Sequence, residues 1–323
     1  MPASIADLYA TIRAMSANAR IASVTVAFNP DPARLAAQLE ALRGQVDEAI
    51  VVDNASATAT ADLIRKLERP AAEGQPAVRV ISLADNHGVA SGFNQGIEAA
   101  ARRNCDYVLL LDHDSVPAPA MVQALVAAHR EASARGPVAA VGPRVRDARD
   151  QHEYAFIRLG WARNPRVRCA DSSGLVRCDF LISSGSLISM QAYGQVGRFD
   201  DELFVDYVDL EWCCRARSMG YSLYGACAAR LEHRIGDNTR TVLGGVRIHV
   251  HSPERLYYMM RNRMLLYGRS HMPLKWKLSD VPRGAVKVAT ALLFVPPRRE
   301  YLRMAWAALR DAARGTGGAR LRP

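Results

Sequence analysis

Cysteine is scarce in this sequence, and no two cysteines form a CxxC pair. The six cysteines include the adjacent Cys213 and Cys214, which suit neither a zinc site nor an ordinary disulfide framework. Disulfides are rare in reducing compartments. The pattern therefore predicts reduced thiols in a cytosolic protein.

Long hydrophobic runs are also absent. The first residues include Asp7 and no sustained apolar stretch, so we expect no signal peptide. The longest markedly apolar stretch covers residues 285–295, contains Lys287 and is too short to span a bilayer, although it could lie on one. Hydrophobic residues still make up 49% of the 323 positions, which is enough for the core of one large or two modest domains.

Acidic residues are sparse in the C-terminal part of the chain. The formal net charge is +10, and residues 234–323 contain 18 Lys and Arg against 5 Asp and Glu. This part therefore carries +13 and residues 1–233 carry −3. The asymmetry predicts an anionic surface as a partner of the C-terminal part. No recognised nucleic-acid-binding module is present there, so we expect a membrane and no nucleic acid.

Helical and strand-like segments alternate through the first half of the chain. This alternation indicates βαβ units and a parallel sheet, in which ligands bind at the carboxyl ends of the strands. The predicted strands cover residues 21–28, 49–52, 78–83, 107–111 and 138–141, and the predicted helices cover residues 32–44, 62–67, 90–103 and 119–135.

Polar residues stand at the ends of three of these strands. Asp53 and Asn54 end the second strand. Residues 85–88 follow the third strand, and Asp112 and Asp114 follow the fourth. Alternate side chains share a face in extended backbone, so Asp112 and Asp114 can converge on one divalent cation. Together the strand ends predict a nucleotide-diphosphate and metal site, whereas ordinary turns could explain any one of them.

A glycine-rich loop follows the third strand. Residues 86–96 lead into a helix whose first turns contain Gly88, Gly92 and Gly96. Glycines let a ligand or a neighbouring strand come close, and a helix N-terminus offers N–H groups to a diphosphate. Asn86 and Gly88 are therefore candidate donor-binding residues. Gly92 and Gly96 could instead serve tight helix–sheet packing alone.

A second acidic centre lies within residues 199–215. Asp209 should lie in the first turn of a helix that Gly220 ends, and Asp206 should lie just before that helix. The acids could form a catalytic centre. They could also be only an acidic helix start that the helix dipole favours.

The chain resembles the family 2 glycosyltransferases, inverting enzymes with a GT-A fold, over roughly residues 20–235. The resemblance implies that Asp53 contacts the nucleobase or ribose of the donor. It also implies that Asp112 and Asp114 hold ribose, metal and diphosphate, while His113 has no direct role. The resemblance rests on five segments in the order of the family, namely residues 24–29, 51–54, 86–96, 110–114 and 199–217.

The resemblance also bears on the base and on a third metal ligand. Family members have Glu-Asp where this chain has Val208 and Asp209, so Asp209 is the expected base and Asp206 is its competitor. A histidine in the position of His233 joins the aspartate as a metal ligand in similar enzymes, although a lone histidine is usually structural. Residues 204–212 look most like the rhamnosyltransferase branch, which uses dTDP-L-rhamnose.

Three other residues are weaker candidates. Ser184 and Gly185, within a predicted strand at residues 180–188, border the acceptor in the family or belong to a close-packed strand. Arg261 lies in a Tyr-Tyr…Arg-Asn segment similar to one in the same branch. It would contact a diphosphate or lie on a solvated helix face.

These observations predict an α/β fold of the GT-A type, Rossmann-like with a mostly parallel central sheet and a C-terminal helical extension. Residues 1–235 would form the catalytic domain, and residues 236–323 a basic helical extension that associates with a membrane. The expected cofactor is Mg²⁺ or Mn²⁺, held by Asp112, Asp114 and His233.

The expected activity is inverting transfer of a sugar, by the resemblance L-rhamnose from dTDP-L-rhamnose. The acceptor would be a hydroxyl of a bacterial surface glycan or of its lipid-linked precursor. The expected location is the cytoplasm, on the inner face of the plasma membrane, and the chain could form a homo-oligomer. A sugar nucleotidyltransferase and a non-catalytic basic membrane-binding protein are the alternatives.

Overall fold

A computed structural model describes residues 19–233, 239–241, 247–249 and 251–320. The predicted domain boundary between residues 235 and 236 lies outside the described residues. So does Asp7, on which the signal-peptide prediction depends.

Strands and helices alternate up to residue 147, short strands follow, and the described chain ends in three helices. The strands are β1 (Ile21–Ala27), β2 (Glu48–Asp53), β3 (Ala77–Ser82), β4 (Tyr107–Asp112), β5 (Val116–Pro117), β6 (Val138–Asp147), β7 (Glu153–Tyr154), β8 (Phe156–Ile157), β9 (Arg166–Val167), β10 (Leu175–Cys178), β11 (Leu187–Ser189), β12 (Ser222–His233), β13 (Thr239–Thr241) and β14 (Arg247–His249). The helices are α1 (Pro32–Ala41), α2 (Thr58–Arg65), α3 (Gly88–Ala101), α4 (Met121–Ser133), α5 (Met190–Val196), α6 (Val208–Ser218), α7 (Pro253–Gly268), α8 (Leu274–Phe294) and α9 (Arg298–Ala313), with a 3-10 turn at Asp201–Leu203.

One large sheet organises the fold, with the strand order β10-β12-β6-β11-β4-β1-β2-β3. Strands β3, β2, β1 and β4 are mutually parallel, and β6 and β12 are also parallel. Strand β11 lies antiparallel between β4 and β6. The predicted α/β fold with a mostly parallel central sheet is confirmed, because the βαβ units predicted from the alternating segments form its first half.

Two hydrophobic cores cover the two faces of the sheet. Val24 and Leu110 point to the core beneath α3, α5 and α6. Leu109 and Leu111 point to the core beneath α1 and α4. Successive side chains of a strand alternate between faces, so an unbroken apolar run such as residues 108–111 supplies both cores.

Helix α3 packs on β1 through its glycines. A Cβ atom on Gly92 would lie 2.7 Å from Val26, and one on Gly96 would lie 2.2 Å from Val24. Both distances are shorter than any normal contact between carbon atoms. Tight helix–sheet packing therefore accounts for Gly92 and Gly96.

Two local predictions are wrong. The predicted strand at residues 180–188 is a loop up to Ser186, and only Leu187–Ser189 forms β11. The loop turns where the Ser186 N–H donates to the Ser183 carbonyl and Gly185 adopts φ +86°. Strand β6 also continues to Asp147, beyond the end of the strand predicted at residues 138–141.

The thiol prediction is wrong for one pair, because Cys169 and Cys227 form a disulfide. The antiparallel pairing of β10 with β12 turns the chain back, so the two Cα atoms lie 5.7 Å apart despite a sequence separation of 58. The four other cysteines are free and buried. The cysteine pattern therefore no longer supports a cytosolic location.

The C-terminal helices pack against the rest of the chain. Leu266, Met272 and Trp276 belong to the core beneath α3, α5 and α6. Trp276 is thus a buried core residue. Helix α9 packs on α7 through Tyr257, Met304 and neighbouring side chains. None of the helices in the described residues is long and apolar enough to cross a membrane.

Candidate active site

Asp112, Asp114 and His233 converge at one edge of the sheet. Asp112 ends β4, Asp114 follows it, and His233 ends β12. One ligand atom from each residue lies within 4.8 Å of the others. The His233 Nδ1 atom is 3.1 Å from Asp114, and its Nε2 atom is 3.5 Å from Asp112. The structure thus brings the three predicted metal ligands together.

The three side chains perturb one another. Burial alone would raise the pKa of Asp114, but the hydrogen bond and charge of His233 outweigh it and lower that pKa. Burial would lower the pKa of His233, but its hydrogen bond with Asp114 and the charge of Asp112 raise it. The pKa of Asp112 is raised, first by burial and then by Asp114, although 38% of its side chain remains exposed in the cleft. Two carboxylates and an imidazole, partly open to solvent, form a donor set that fits Mn²⁺ or Mg²⁺.

A buried hydrogen-bond network holds the turn that carries the aspartates. The Gln38 side-chain amide donates to the backbone carbonyls of Asp112, at 2.6 Å, and of Ser115, at 2.7 Å. The Ser115 hydroxyl lies 2.8 Å from His233 Nδ1 and 2.5 Å from the Ser184 hydroxyl. The Ser184 hydroxyl also accepts the Asp112 N–H. Ser184 therefore supports the cluster of Asp112, Asp114 and His233 and is not part of a packed strand.

Asp53 and Asn86, the residues predicted to bind the donor, lie at the same edge of the sheet. Asp53 ends β2 beside Ala27 of β1, while Asp112 pairs with the other side of β1. Two strand spacings, about 10 Å, separate the backbones of these two strand ends. The Asp53 carboxylate accepts the Ser56 N–H, and the Asn54 amide donates to Asn86 Oδ1 at 3.0 Å.

The start of α3 is occupied by the chain itself. Gly88 has φ +85°, and a Cβ atom there would lie 2.3 Å from the Phe204 carbonyl oxygen. The Gly88 N–H donates to Asn86 Oδ1, and the Val89 N–H donates to the Phe204 carbonyl. These two N–H groups are thus satisfied internally, so the close approach at Gly88 belongs to Phe204 and not to a diphosphate.

Asp209 lies in the first turn of α6, as predicted. Its carboxylate accepts the N–H groups of Leu210, at 2.8 Å, and Ser183, at 3.3 Å. Burial raises the pKa of Asp209 to about 7. The charges of Asp112 and Asp206 act in the same direction, whereas the two N–H groups act against it. A carboxyl group with a pKa near neutrality suits general base catalysis.

Asp206, the competing candidate, has a different environment. Its two carboxylate oxygens accept the Nε and Nη2 hydrogens of Arg255, at 3.2 and 3.1 Å. Arg255 thus occupies both oxygens of the Asp206 carboxylate with charge-assisted hydrogen bonds, whereas the Asp209 carboxylate is held by two backbone N–H groups. The geometry therefore favours Asp209 over Asp206 as the base.

Arg261 is neither solvated nor open to a ligand. It is fully buried in α7, and its guanidinium donates to the backbone carbonyls of Glu202, Leu203 and Gly318 and to the Asn262 side chain. The prediction that it binds a diphosphate is therefore corrected. Its guanidinium hydrogen-bonds to groups of the chain itself.

Sequence reasoning missed Gln38, Ser115, Arg255 and Asn262. Gln38 could have been found, because it interrupts the buried stripe of Leu35 and Leu39 on α1 and a buried amide needs partners. The other three give no local signal. Their partners lie far away in the sequence and meet them only in the folded chain.

The site agrees with comparisons to known proteins. Residues 23–194, more than half of the chain, match the model of Glycosyl transferase family 2. The dTDP-rhamnosyl transferase RfbF of Shigella flexneri is 28% identical over 306 residues, which cover 94% of this chain and 99% of that protein. The N-acetylglucosaminyl-diphospho-decaprenol L-rhamnosyltransferase of Mycobacterium tuberculosis is 26% identical over 301 residues, 84% of this chain and 91% of that protein.

Solved structures share the fold at low identity. S. aureus TarS 1–349 in complex with UDP-GlcNAc superposes with a TM-score of 0.58 and 13% identity, covering 92% of this chain and 81% of that chain. GalNAc-T7 with UDP, GalNAc and Mn²⁺ gives the same TM-score and identity over 92% of this chain and 57% of that chain. The match of the family model, together with acidic residues at the strand ends of a sheet of this architecture, shows that the chain belongs to glycosyl transferase family 2.

Proposed function

We propose that this glycosyltransferase moves L-rhamnose from dTDP-L-rhamnose to a hydroxyl of a bacterial surface glycan or of its lipid-linked precursor. The metal cluster of Asp112, Asp114 and His233 beside Asp209 is the observation that carries the proposal. The similarity to two rhamnosyltransferases, one of them named for a decaprenol-linked acceptor, supports the choice of sugar and of acceptor.

Asp209 supplies the proton chemistry in this proposal. Its ionised carboxylate accepts the proton of the acceptor hydroxyl while the hydroxyl oxygen forms a bond to the anomeric carbon of the sugar. The bond from that carbon to the diphosphate oxygen breaks in the same displacement, so the configuration inverts. The two N–H groups on the Asp209 carboxylate fix its orientation toward the acceptor.

Asp112, Asp114 and His233 would hold Mg²⁺ or Mn²⁺. A bound divalent cation neutralises charge that develops on the departing diphosphate. Gln38 and Ser115 keep these ligands in place through the buried network, and Asp53 would hold the nucleoside. These roles place the donor across the ends of β1, β2 and β4.

The alternatives make different demands on the site. A sugar nucleotidyltransferase would use the metal cluster and release pyrophosphate, but it would not need a buried base at Asp209. A non-catalytic membrane-binding protein would need neither group. The raised pKa of Asp209, beside an assembled set of metal ligands, favours transfer of the sugar.

Incubation with a panel of nucleotide sugars tests the proposal. We expect dTDP-L-rhamnose with an acceptor glycan to give dTDP and a rhamnosylated product, faster than any other donor in the panel. Thin-layer or mass-spectrometric detection of both products distinguishes transfer from hydrolysis. Pyrophosphate release would favour the nucleotidyltransferase, and faster use of another sugar would replace the proposed donor.

We further propose that α9 holds the enzyme on the inner face of the plasma membrane. One face of α9 is buried against α7, yet Leu302, Trp306 and Leu309 form an apolar stripe on its exposed side, where Trp306 is 74% exposed. Exposed arginines border the stripe at residues 298, 299, 303 and 310. Apolar side chains flanked by basic ones are typical of helices that lie in a membrane interface.

Sedimentation with liposomes tests this membrane contact. We expect the double variant Leu302→Ser/Trp306→Ser to lose most binding to anionic liposomes while it stays folded, because both side chains are exposed. High salt should weaken the binding of the unchanged protein without abolishing it, since salt screens charges beyond roughly 8 Å but not apolar contacts. Leu63→Ser is the control, because it also replaces an exposed apolar side chain with serine but lies on α2. This variant should bind liposomes normally. Equal binding to neutral and anionic liposomes, or unchanged binding of the double variant, would contradict the proposal and direct attention to a second subunit as the partner.

A further inference from the structure

The backbone just before α6 is held in an unusual conformation. Phe204, Asp206 and Tyr207 have φ angles of 61°, 62° and 67°. Residues other than glycine rarely adopt this left-handed backbone conformation. They keep it only where the surrounding structure holds them in it. The segment leads directly into Val208, the residue before Asp209. Its conformation therefore determines the position of the Asp209 backbone and side chain.

Two adjacent residues of α7 hold this segment. The Asn262 amide nitrogen lies 2.7 Å from the carbonyl oxygens of Leu203 and Val205 and 3.0 Å from that of Asp206. The Arg261 guanidinium donates to the carbonyl of Glu202 at 2.9 Å. The remaining carbonyl, that of Phe204, accepts the Val89 N–H. Every backbone carbonyl from residue 202 to residue 206 therefore has a donor, most of them from α7.

Arg261 and Asn262 act as one unit. The Asn262 side-chain oxygen accepts the Nε and Nη2 hydrogens of Arg261, which turns the amide nitrogen toward the segment. The guanidinium lies 5.0 Å from the ring centre of Tyr258, and that ring stacks on Phe204. Both residues are fully buried. Their donors and their packing thus converge on residues 202–206.

We propose that Arg261 and Asn262 are positioning residues for the base Asp209. They hold residues 202–206 in a conformation that the segment would not keep alone, and so place the first turn of α6 against Ser183 and the metal cluster. This inference rests on the proposed function in one respect, the role of Asp209. It also gives the C-terminal helices a catalytic purpose that is separate from membrane contact.

The Asn262→Ala variant tests the positioning role. We expect kcat to fall by about 10- to 100-fold, because small displacements of a catalytic group have effects of this size. The KM for the donor should change less than kcat, since the Asn262 amide donates to the carbonyls of Leu203, Val205 and Asp206 and not to Asp53, Asp112 or Asp114. Arg261→Lys should give an intermediate loss of kcat, because lysine keeps the charge but not the fork of N–H groups. Hydrogen exchange should accelerate at the backbone amides of residues 203–211.

Leu256→Ala is the matched control on the same helix. Leu256 is also buried in α7, but it packs against Val295, at the end of α8, and Tyr301 of α9, and not in the core that contains Leu203, Val208 and Leu210. This variant should lower the melting temperature as Asn262→Ala does, with a nearly normal kcat for the folded protein and slow exchange at residues 203–211.

Equal kcat losses in Asn262→Ala and Leu256→Ala, or unchanged exchange at residues 203–211 in Asn262→Ala, would overturn the inference. The exchange experiment needs no substrate, so it decides the positioning role whatever sugar is transferred. If Asp209→Asn keeps full activity while exchange at residues 203–211 accelerates in Asn262→Ala, the proposed base is wrong and the role of α7 in holding the segment stands.

Discussion

Replacement of Asp209 by asparagine should lower kcat by about 10²- to 10⁴-fold, the range expected for loss of a general base. Asparagine keeps the size of the side chain, and its single carbonyl oxygen can still accept one of the two N–H groups, such as that of Leu210. The donor should therefore bind with nearly unchanged affinity, because the Asp53 and metal positions remain intact. Steady-state kinetics, together with calorimetric titration of dTDP in the presence of Mn²⁺, measures both quantities.

The dependence of kcat on pH gives the same prediction a second measurement. The base must be ionised to accept a proton, and burial raises the pKa of Asp209 to about 7. We therefore expect kcat to fall below pH 7, by about tenfold for each further pH unit. The residual activity of Asp209→Asn should lack this acidic limb.

Asp206→Asn is the control for Asp209→Asn. It breaks the ion pair with Arg255 and leaves the proposed base in place. We expect a smaller loss of kcat and an acidic limb displaced to lower pH, because the charge of Asp206 contributes to the raised pKa of Asp209. An inactive Asp206→Asn beside an active Asp209→Asn would show that the two roles are reversed.

Removal of the metal site should have the second large effect. Charge stabilisation by a bound divalent cation contributes several kcal/mol to such reactions, and each 1.36 kcal/mol corresponds to about a factor of ten. Asp114→Ala, or chelation of the unchanged enzyme with EDTA, should therefore lower turnover by about 10²-fold or more. Re-addition of Mn²⁺ or Mg²⁺ should restore the chelated enzyme but not the variant.

Metal binding itself can be measured without a sugar donor. Titration with Mn²⁺, followed by electron paramagnetic resonance, should show one tight site that Asp114→Ala and His233→Ala both weaken. Asp150→Ala removes an acid from an exposed turn and should leave both metal binding and turnover unchanged. Full turnover of Asp114→Ala in EDTA would show that this enzyme uses no metal.

The strand ends were predictable because they depend on local pattern. An apolar run that stops at Asp112 indicates where a buried strand lies, since strand side chains alternate between two buried faces. It also indicates where the polar end of that strand lies. The start of α1 was equally local, because Asp31 caps the helix and Pro32 occupies its first position. Asp209 followed from helical spacing up to Gly220. All of these features depend on residues a few positions apart.

The supports of the site were not predictable, because their partners are distant in the sequence. Asn262 contacts carbonyls 56 to 59 residues away, and Gln38 contacts carbonyls more than 70 residues away. Arg261 carried an apparent ligand-binding signal, since arginine commonly binds phosphate, but the folded chain surrounds it with carbonyl groups. Gly88 was misinterpreted in the same way, because only the folded structure shows that Phe204 fills the space beside it.

The sequence by itself thus determined the parallel half of the sheet, the acids at the ends of its strands and the position of Asp209. Hydrophobic periodicity and strand ends encode these features within short segments. Tertiary structure alone decided that Cys169 meets Cys227, that Asp206 pairs with Arg255, and that α7 holds the segment before the base. The physical reason is that a buried donor, acceptor or thiol bonds to the group that the packed chain brings within about 3 Å. The residues near it in the sequence do not indicate which group that is.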